Sequence, residues 1–88
     1  MKLVNGFVIK TVGGKWVAVA TSEAALRFKG MMVLNDTAKV IFSKLIEGET
    51  TSKELVLLIT EQFDVSPEQA EGDVNSLLSK LESMNLII

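Results

Sequence analysis

The 88-residue sequence contains no histidine and no cysteine. Their absence excludes disulfide bonds, thiol nucleophiles, imidazole bases, Ser-His and Cys-His pairs, and zinc sites built from those side chains. Apart from unusual lysine chemistry, no nucleophile–base pair can be assembled. We therefore predict a protein that is not an enzyme, with no catalytic residue, no metal and no cofactor. A chain of this length has room for one core, so we expect a single domain spanning residues 1–88.

Long apolar runs are also absent. The longest have five residues, as in Leu55–Ile59, far too few to cross a bilayer. The segment Met1–Ile9 is interrupted by Asn5 and Gly6 and lacks the apolar region and cleavage site of a signal peptide. We expect a cytoplasmic protein with no membrane partner. Apolar residues nevertheless make up 48% of the chain, enough to favour a folded core over disorder.

Charge is unevenly distributed along the chain, whose net charge is −2. Residues 1–46 carry seven basic and two acidic side chains, whereas residues 47–88 carry two basic and nine acidic ones. Such an asymmetry is typical of a face that meets a charged partner, and it is equally compatible with a polar shell over an apolar core. The charge pattern by itself leaves both interpretations open.

The first third of the chain has the pattern of β-structure. Residues 7–12 are rich in β-branched side chains, and Gly13 and Gly14 suit the positive φ angles of a tight turn. Residues 15–21 alternate, with Trp16, Ala18 and Ala20 on one face and Val17 and Val19 on the other. This pattern predicts a β-hairpin.

The segment after the hairpin predicts a third strand. Ser22 suits the cap of a short helical turn within residues 22–29, and Gly30 ends that turn. Met31–Leu34 then forms a short apolar strand, with Met31 and Val33 on one face and Met32 and Leu34 on the other. Methionine suits adaptable peptide-binding surfaces, but for each methionine here, including Met84, we favour a core position.

The remainder of the chain has helical spacing of apolar residues. Asn35, Thr51 and Ser66 are N-cap candidates for helices reaching about residues 46, 63 and 84. Gly72 interrupts the third of these helices, either to admit another backbone or as a tolerated surface glycine. The tail 86–88 is expected to pack against the helices or to add a short extended segment. Strands followed by helices define an α+β fold with a helix-turn-helix core.

Four stretches of the chain together resemble the PqqD family. The first is Arg27–Ala38, which contains RFKGMMVLNDTA, and the second is the turn Leu45–Thr51. The third is Phe63–Val74, which begins FDVSPEQA, and the fourth is the closing segment Leu81–Ile87. The resemblance covers residues 6–88 and is densest over residues 27–88. The sequence lacks tyrosine and histidine, and Gly72 stands where the family more often has a larger residue.

This resemblance implies a winged-helix-like fold with a three-stranded antiparallel sheet followed by a three-helix bundle. It also implies a non-catalytic adaptor, which binds the leader of a ribosomally synthesised precursor peptide and presents it to a modifying enzyme, often a radical SAM enzyme. The leader would lie as an added strand along the third strand, beside the third long helix. For the binding residues we predict Met31, Met32, Val33 and Leu34 on the strand and Val74, Leu77, Leu78 and Leu81 on the helix, with Arg27 and Lys80 facing acidic leader residues. Periodicity does not show which of the four helix residues line the groove and which lie in the core.

Two other functions remain open at this point. A winged-helix DNA-binding protein is disfavoured because the second and third long helices each carry one lysine, Lys53 and Lys80, among several acids. A structural dimerisation module would pair through the strand at residues 30–34. We therefore expect no nucleic-acid partner, and a monomer or a weak dimer.

Overall fold

The computed structural model describes the whole chain, Met1–Ile88, as three strands and four helices. In chain order these are β1 (Phe7–Val12), β2 (Lys15–Ala20), α1 (Ser22–Arg27), β3 (Met31–Leu34), α2 (Asp36–Glu47), α3 (Ser52–Gln62) and α4 (Pro67–Ser83). The strands form one antiparallel sheet in the order β1-β2-β3. The predicted α+β class is confirmed, and α1 adds a short fourth helix between the second and third strands.

Glycine conformation sets the register of the sheet. Gly13 and Gly14 have φ angles of +58° and +79°, which is the conformation of a two-residue turn that matches the twist of a hairpin. Val12 therefore pairs with Lys15, and the register continues to Phe7 opposite Ala20. The predicted hairpin is confirmed, together with its predicted division into two faces.

The inner face of the sheet packs on the helices. Ala18, Met32 and Leu34 are buried there within one cluster of 17 apolar residues that also includes residues of α2, α3 and α4. Phe7 lies edge-on to Phe42 of α2, with 5.2 Å between ring centroids. This cluster fixes the sheet against the three long helices.

Side-chain caps start each of the long helices where the sequence places them. The Asn35 side chain accepts a hydrogen bond from the Ala38 amide at 2.8 Å. In the same way, the Thr51 and Ser66 hydroxyls accept hydrogen bonds from the amides of Glu54 and Gln69, which are the third residues of α3 and α4. Each cap satisfies one of the amides that a helix start leaves without an internal partner. The predicted starts of α2, α3 and α4 are therefore confirmed.

The prediction that Ser22 caps a helical turn is wrong. Ser22 has a φ angle of +48° and is the first residue of α1, whereas Thr21 occupies the cap position without a side-chain cap bond. The Thr21 hydroxyl instead donates to the Gly6 carbonyl, and the Thr21 amide donates to the same oxygen at 2.9 Å. Thr21 thus connects the end of β2 to the segment before β1.

The C-terminal tail forms an extended segment. The Val4 amide donates to the Leu86 carbonyl at 2.8 Å, and the Ile88 amide donates to the Lys2 carbonyl at 2.7 Å. Leu86 is fully buried, so the tail both pairs and packs. No helix of the structure has the combination of length and apolar character needed to cross a membrane.

Two glycines provide a matched test of this fold. A methyl group on Gly6 would collide with the Thr21 carbonyl oxygen, and Gly6 has a φ angle of +111°. Gly72 lies inside α4 with nothing within 4 Å of an added methyl group, so it admits no other backbone and is a surface glycine.

We expect Gly6→Ala to lower the free energy of unfolding by about 2–3 kcal/mol, because it adds a clash and backbone strain. Gly72→Ala should raise it by about 0.5–1 kcal/mol, because alanine restricts the unfolded chain and favours helix. Urea unfolding followed by circular dichroism measures both values. Equal effects of the two substitutions would contradict this description of the fold.

Candidate functional site

The outer edge of β3 is one of the two unpaired edges of the sheet, the other being that of β1. β3 pairs with β2 alone, so its other long side has no strand partner. Sheet edges of this kind are usually blunted by charge or covered. None of the four residues of β3 is charged, and the nearest basic side chain is Lys29. This edge is therefore open to a further strand.

The backbone groups that face the open edge follow from the pairing pattern. The Ala20 amide donates to the Gly30 carbonyl at 3.5 Å, next to the aligned pair of Val19 and Met31. Hydrogen-bonded pairs alternate along an antiparallel ladder, so Met32 and Leu34 also point their backbone groups towards β2. The N–H and C=O groups of Met31 and Val33 then point outward.

A cavity of about 250 Å³ begins where β3 ends. Asn35 lines it from the residue directly after β3, and Ala38 and Ile41 line it from α2. The opposite wall belongs to α4 and consists of Asp73, Ser76, Leu77 and Lys80. The cavity thus offers an apolar floor between one acidic and one basic side chain.

The other end of β3 is tied to the end of α4. Arg27, at the end of α1, donates a hydrogen bond from Nη1 to the Asn85 carbonyl oxygen at 2.9 Å. Residues of α4 thus line the cavity at the end of β3, and Asn85, two residues beyond α4, contacts Arg27 ahead of β3. The main contacts of α4 are with α3 and α2, not with β3. We call the space bounded by the β3 edge, the cavity and α4 the β3–α4 groove.

The residues that the sequence implies for peptide binding divide into two groups. Five of them are buried in the core, namely Met32, Leu34, Val74, Leu78 and Leu81. The other five are accessible: Leu77 is half-buried, and Met31, Val33, Arg27 and Lys80 are exposed. The accessible group can touch a ligand, whereas the buried group holds β3 and α4 in place.

The core position favoured for Met31 is wrong, because 54% of its surface is exposed. It lies on the side of the sheet that the helices do not cover. Met32 is in the core, and Met84 is half-buried and packs against the core. The predicted core positions of Met32 and Met84 are therefore confirmed.

Several cavity residues were not among the predicted ones, notably Asn35, Thr37, Ala38, Asp73 and Ser76. A signal for part of this set is present in the sequence. The α4 positions 73, 76, 77 and 80 have helical spacing and lie beside the buried stripe at 70, 74, 78 and 81. Every amphipathic helix has such a stripe beside its core stripe, so the spacing places these residues next to the core without identifying a groove.

Comparison with known proteins identifies the family. The model of the family "Coenzyme PQQ synthesis protein D (PqqD)" matches residues 15–87, so the chain belongs to the PqqD family. No curated protein matches the chain.

Two solved structures have the same fold. One is "TbiB1 in Complex with the TbiA(beta) Leader Peptide", with 21% identity, a TM-score of 0.71, and coverage of 99% of this chain and 94% of the other. The second is "Lasso peptide synthetase B1 complexed with the leader peptide", with 20% identity, a TM-score of 0.67, and coverage of 98% and 93%.

The hydrogen-bond pattern of β3 predicts an alternation in amide exchange. The Met32 and Leu34 amides bond to β2 and should be protected in the free protein, whereas the Met31 and Val33 amides should exchange rapidly. Hydrogen–deuterium exchange followed by NMR resolves the four amides individually. Uniform protection of all four would contradict the open edge.

Proposed function

We propose that this chain binds an extended leader segment of a ribosomally synthesised precursor peptide and presents it to a modifying enzyme, without catalysing the modification itself. The leader segment becomes a fourth strand along β3. The observation that carries this proposal is the unpaired, uncharged edge of β3 beside the β3–α4 groove.

The edge has the capacity for a short strand. Met31 and Val33 each provide one N–H donor and one C=O acceptor at the edge. An antiparallel partner strand can therefore form two hydrogen-bonded residue pairs with β3. The strand from Gly30 to Asn35 is about 17 Å long, which accommodates a leader segment of about five residues. Main-chain bonds of this kind give affinity without demanding a particular sequence.

Side-chain selectivity would come from the groove. Alternate residues of an added strand point towards the helices, where the half-buried Ala38 and Leu77 offer apolar contact. Lys80 lies at the same cavity and suits an acidic leader residue. Arg27 uses one N–H group for the Asn85 carbonyl, and its guanidinium has further donors for a carboxylate at the other end.

Family and fold support the same proposal. The chain belongs to the PqqD family, and the two solved structures of this fold are each complexes with a leader peptide. In our proposal the chain uses the β3 edge for a leader of its own. The chemistry would belong to a partner enzyme, because this chain lacks imidazole and thiol groups. For that partner we propose a radical SAM enzyme, on the strength of the PqqD family.

The open edge of β3 could also pair with β3 of a second copy of this chain. Dimerisation is therefore the main alternative to leader binding at this edge. Pairing between two β3 edges would produce a six-stranded sheet and concentration-dependent association. Sedimentation without peptide measures this association directly. DNA binding is the weaker competitor, because α3 and α4 carry predominantly acidic side chains.

Proline substitution at the edge tests the strand addition. Val33→Pro removes an outward-pointing amide and leaves the bonds of Met32 and Leu34 to β2 intact. We expect it to weaken leader binding about tenfold, since a hydrogen bond contributes about 0.5–1.5 kcal/mol and the added strand also loses its geometry. Titration calorimetry with leader peptides encoded beside this gene gives the affinities.

Thr11→Pro is the matched control for this experiment. Thr11 is exposed, and its amide points away from β2 at the opposite edge of the sheet, because Gly6 and Thr21 form a bonded pair and the pattern alternates from there. This variant should bind the leader as the wild type does. Equal losses in the two variants, or no loss in Val33→Pro, would refute binding along β3.

A further inference from the structure

The sheet has a second face, which points away from the helices and which we call the outer face. Three rows of paired residues form it across the strands. They are Val8 with Val19 and Met31, Lys10 with Val17 and Val33, and Val12 with Lys15. Six of these eight side chains are apolar.

No helix packs on the outer face. Val8, Val12, Met31 and Val33 are 43%, 52%, 54% and 64% exposed, whereas Val17 at the centre is only 2% exposed between its strand neighbours. Antiparallel sheets that bury one face normally place polar residues on the other. Contiguous apolar patches on small proteins are often functional, which makes the outer face a candidate site of interaction.

The charges on this face indicate what kind of surface would cover it. Lys10 and Lys15 are the only charged residues of the three strands, so the strands give the outer face two basic side chains and no acidic one. The one acid beside it is Asp36, which lies with Lys15 and Val33 around a hollow at the end of β3. A second copy packed face to face would bring lysines towards lysines. The complementary surface is apolar with carboxylates around it.

The area of the outer face also argues against a second copy of the chain as its partner. Two strands of six residues and one of four, about 4.8 Å apart, cover about 250 Å². A stable interface buries about 800 Å² on each partner, so the outer face alone is too small to hold two copies together. It fits one part of a composite, transient interface that other surfaces complete.

The outer face is continuous with the open edge. Met31 and Val33 point their backbone groups towards the edge and their side chains onto the outer face. A leader added as a fourth strand would extend the face with its own outward-facing side chains, because side chains alternate between the two faces of a strand.

We propose that the outer face, extended by the bound leader, is the docking surface for the modifying enzyme, which contacts it through an apolar patch bordered by acidic side chains. This inference rests on the proposed function. The enzyme would then contact the adaptor and the leader together. Its affinity should therefore be higher for the loaded adaptor than for the free one.

Lysine substitutions on β1 test the proposal away from the leader edge. Val8→Lys and Val12→Lys place charge in the apolar patch, and β2 separates both positions from β3. Leu57→Lys on α3 is the matched control, because Leu57 is 52% exposed, as Val12 is. Val8→Thr and Val12→Thr keep the β-branched shape of valine. They test the same two positions if the lysine variants do not fold.

The experiment uses the purified modifying enzyme and the leader peptide encoded beside this gene. Binding of enzyme to adaptor is measured with and without leader, and binding of leader to adaptor is measured separately. We expect the two lysine variants to weaken enzyme binding at least about tenfold and the threonine variants about threefold. The affinity of the lysine and threonine variants for the leader should stay within about twofold of wild type. The affinity of Leu57→Lys for the enzyme should also stay within about twofold of wild type.

The remaining outcomes overturn the inference in distinguishable ways. Enzyme binding that is unchanged in the folded lysine variants, or a wild type that binds leader but not enzyme, refutes the docking surface and leaves leader binding standing. Self-association that the lysine variants abolish assigns the outer face to a second copy instead. A wild type that binds no leader peptide refutes the proposed function, and this inference with it.

Discussion

Met32 and Leu34 hold β3 in the molecule by two means at once. Their backbone groups bond to β2, and their side chains are buried in the core against the helices. Because a strand repeats every two residues, this anchoring determines what Met31 and Val33 can do. Their backbone groups face the open edge and their side chains face outward. A one-residue shift of register would turn the side chains of Met31 and Val33 into the core and expose those of Met32 and Leu34.

Helix α4 separates support from recognition in the same way. One of its stripes, at residues 70, 74, 78 and 81, is buried and fixes the helix against α2 and α3. The neighbouring stripe, at residues 73, 76, 77 and 80, borders the cavity next to β3. Core packing therefore holds α4 in place, and the groove that we propose for the peptide is already formed in the free chain. Such preorganisation lowers the ordering cost of binding.

Local signals in the sequence were sufficient for most of the fold. The Gly13–Gly14 turn and the caps Asn35, Thr51 and Ser66 act within a few residues, so the hairpin and the starts of the long helices were predictable. The accessible part of the site was not predictable from the sequence. Periodicity shows that Leu77 and Leu78 both lie near the apolar face of α4, but it does not show which of these two side chains the core covers. Met31 shows the same limit, since alternation gives two faces without telling which one the helices pack on.

The account depends most on the β3 edge as the place where a peptide binds. Isotope-filtered NOE spectroscopy of the labelled domain with an unlabelled leader peptide tests this directly. The account predicts cross-strand contacts between the peptide backbone and the Met31 and Val33 amides, with further contacts from peptide side chains to Leu77. A saturable complex whose contacts lie at β1 or between α3 and α4, with none to β3, would contradict it.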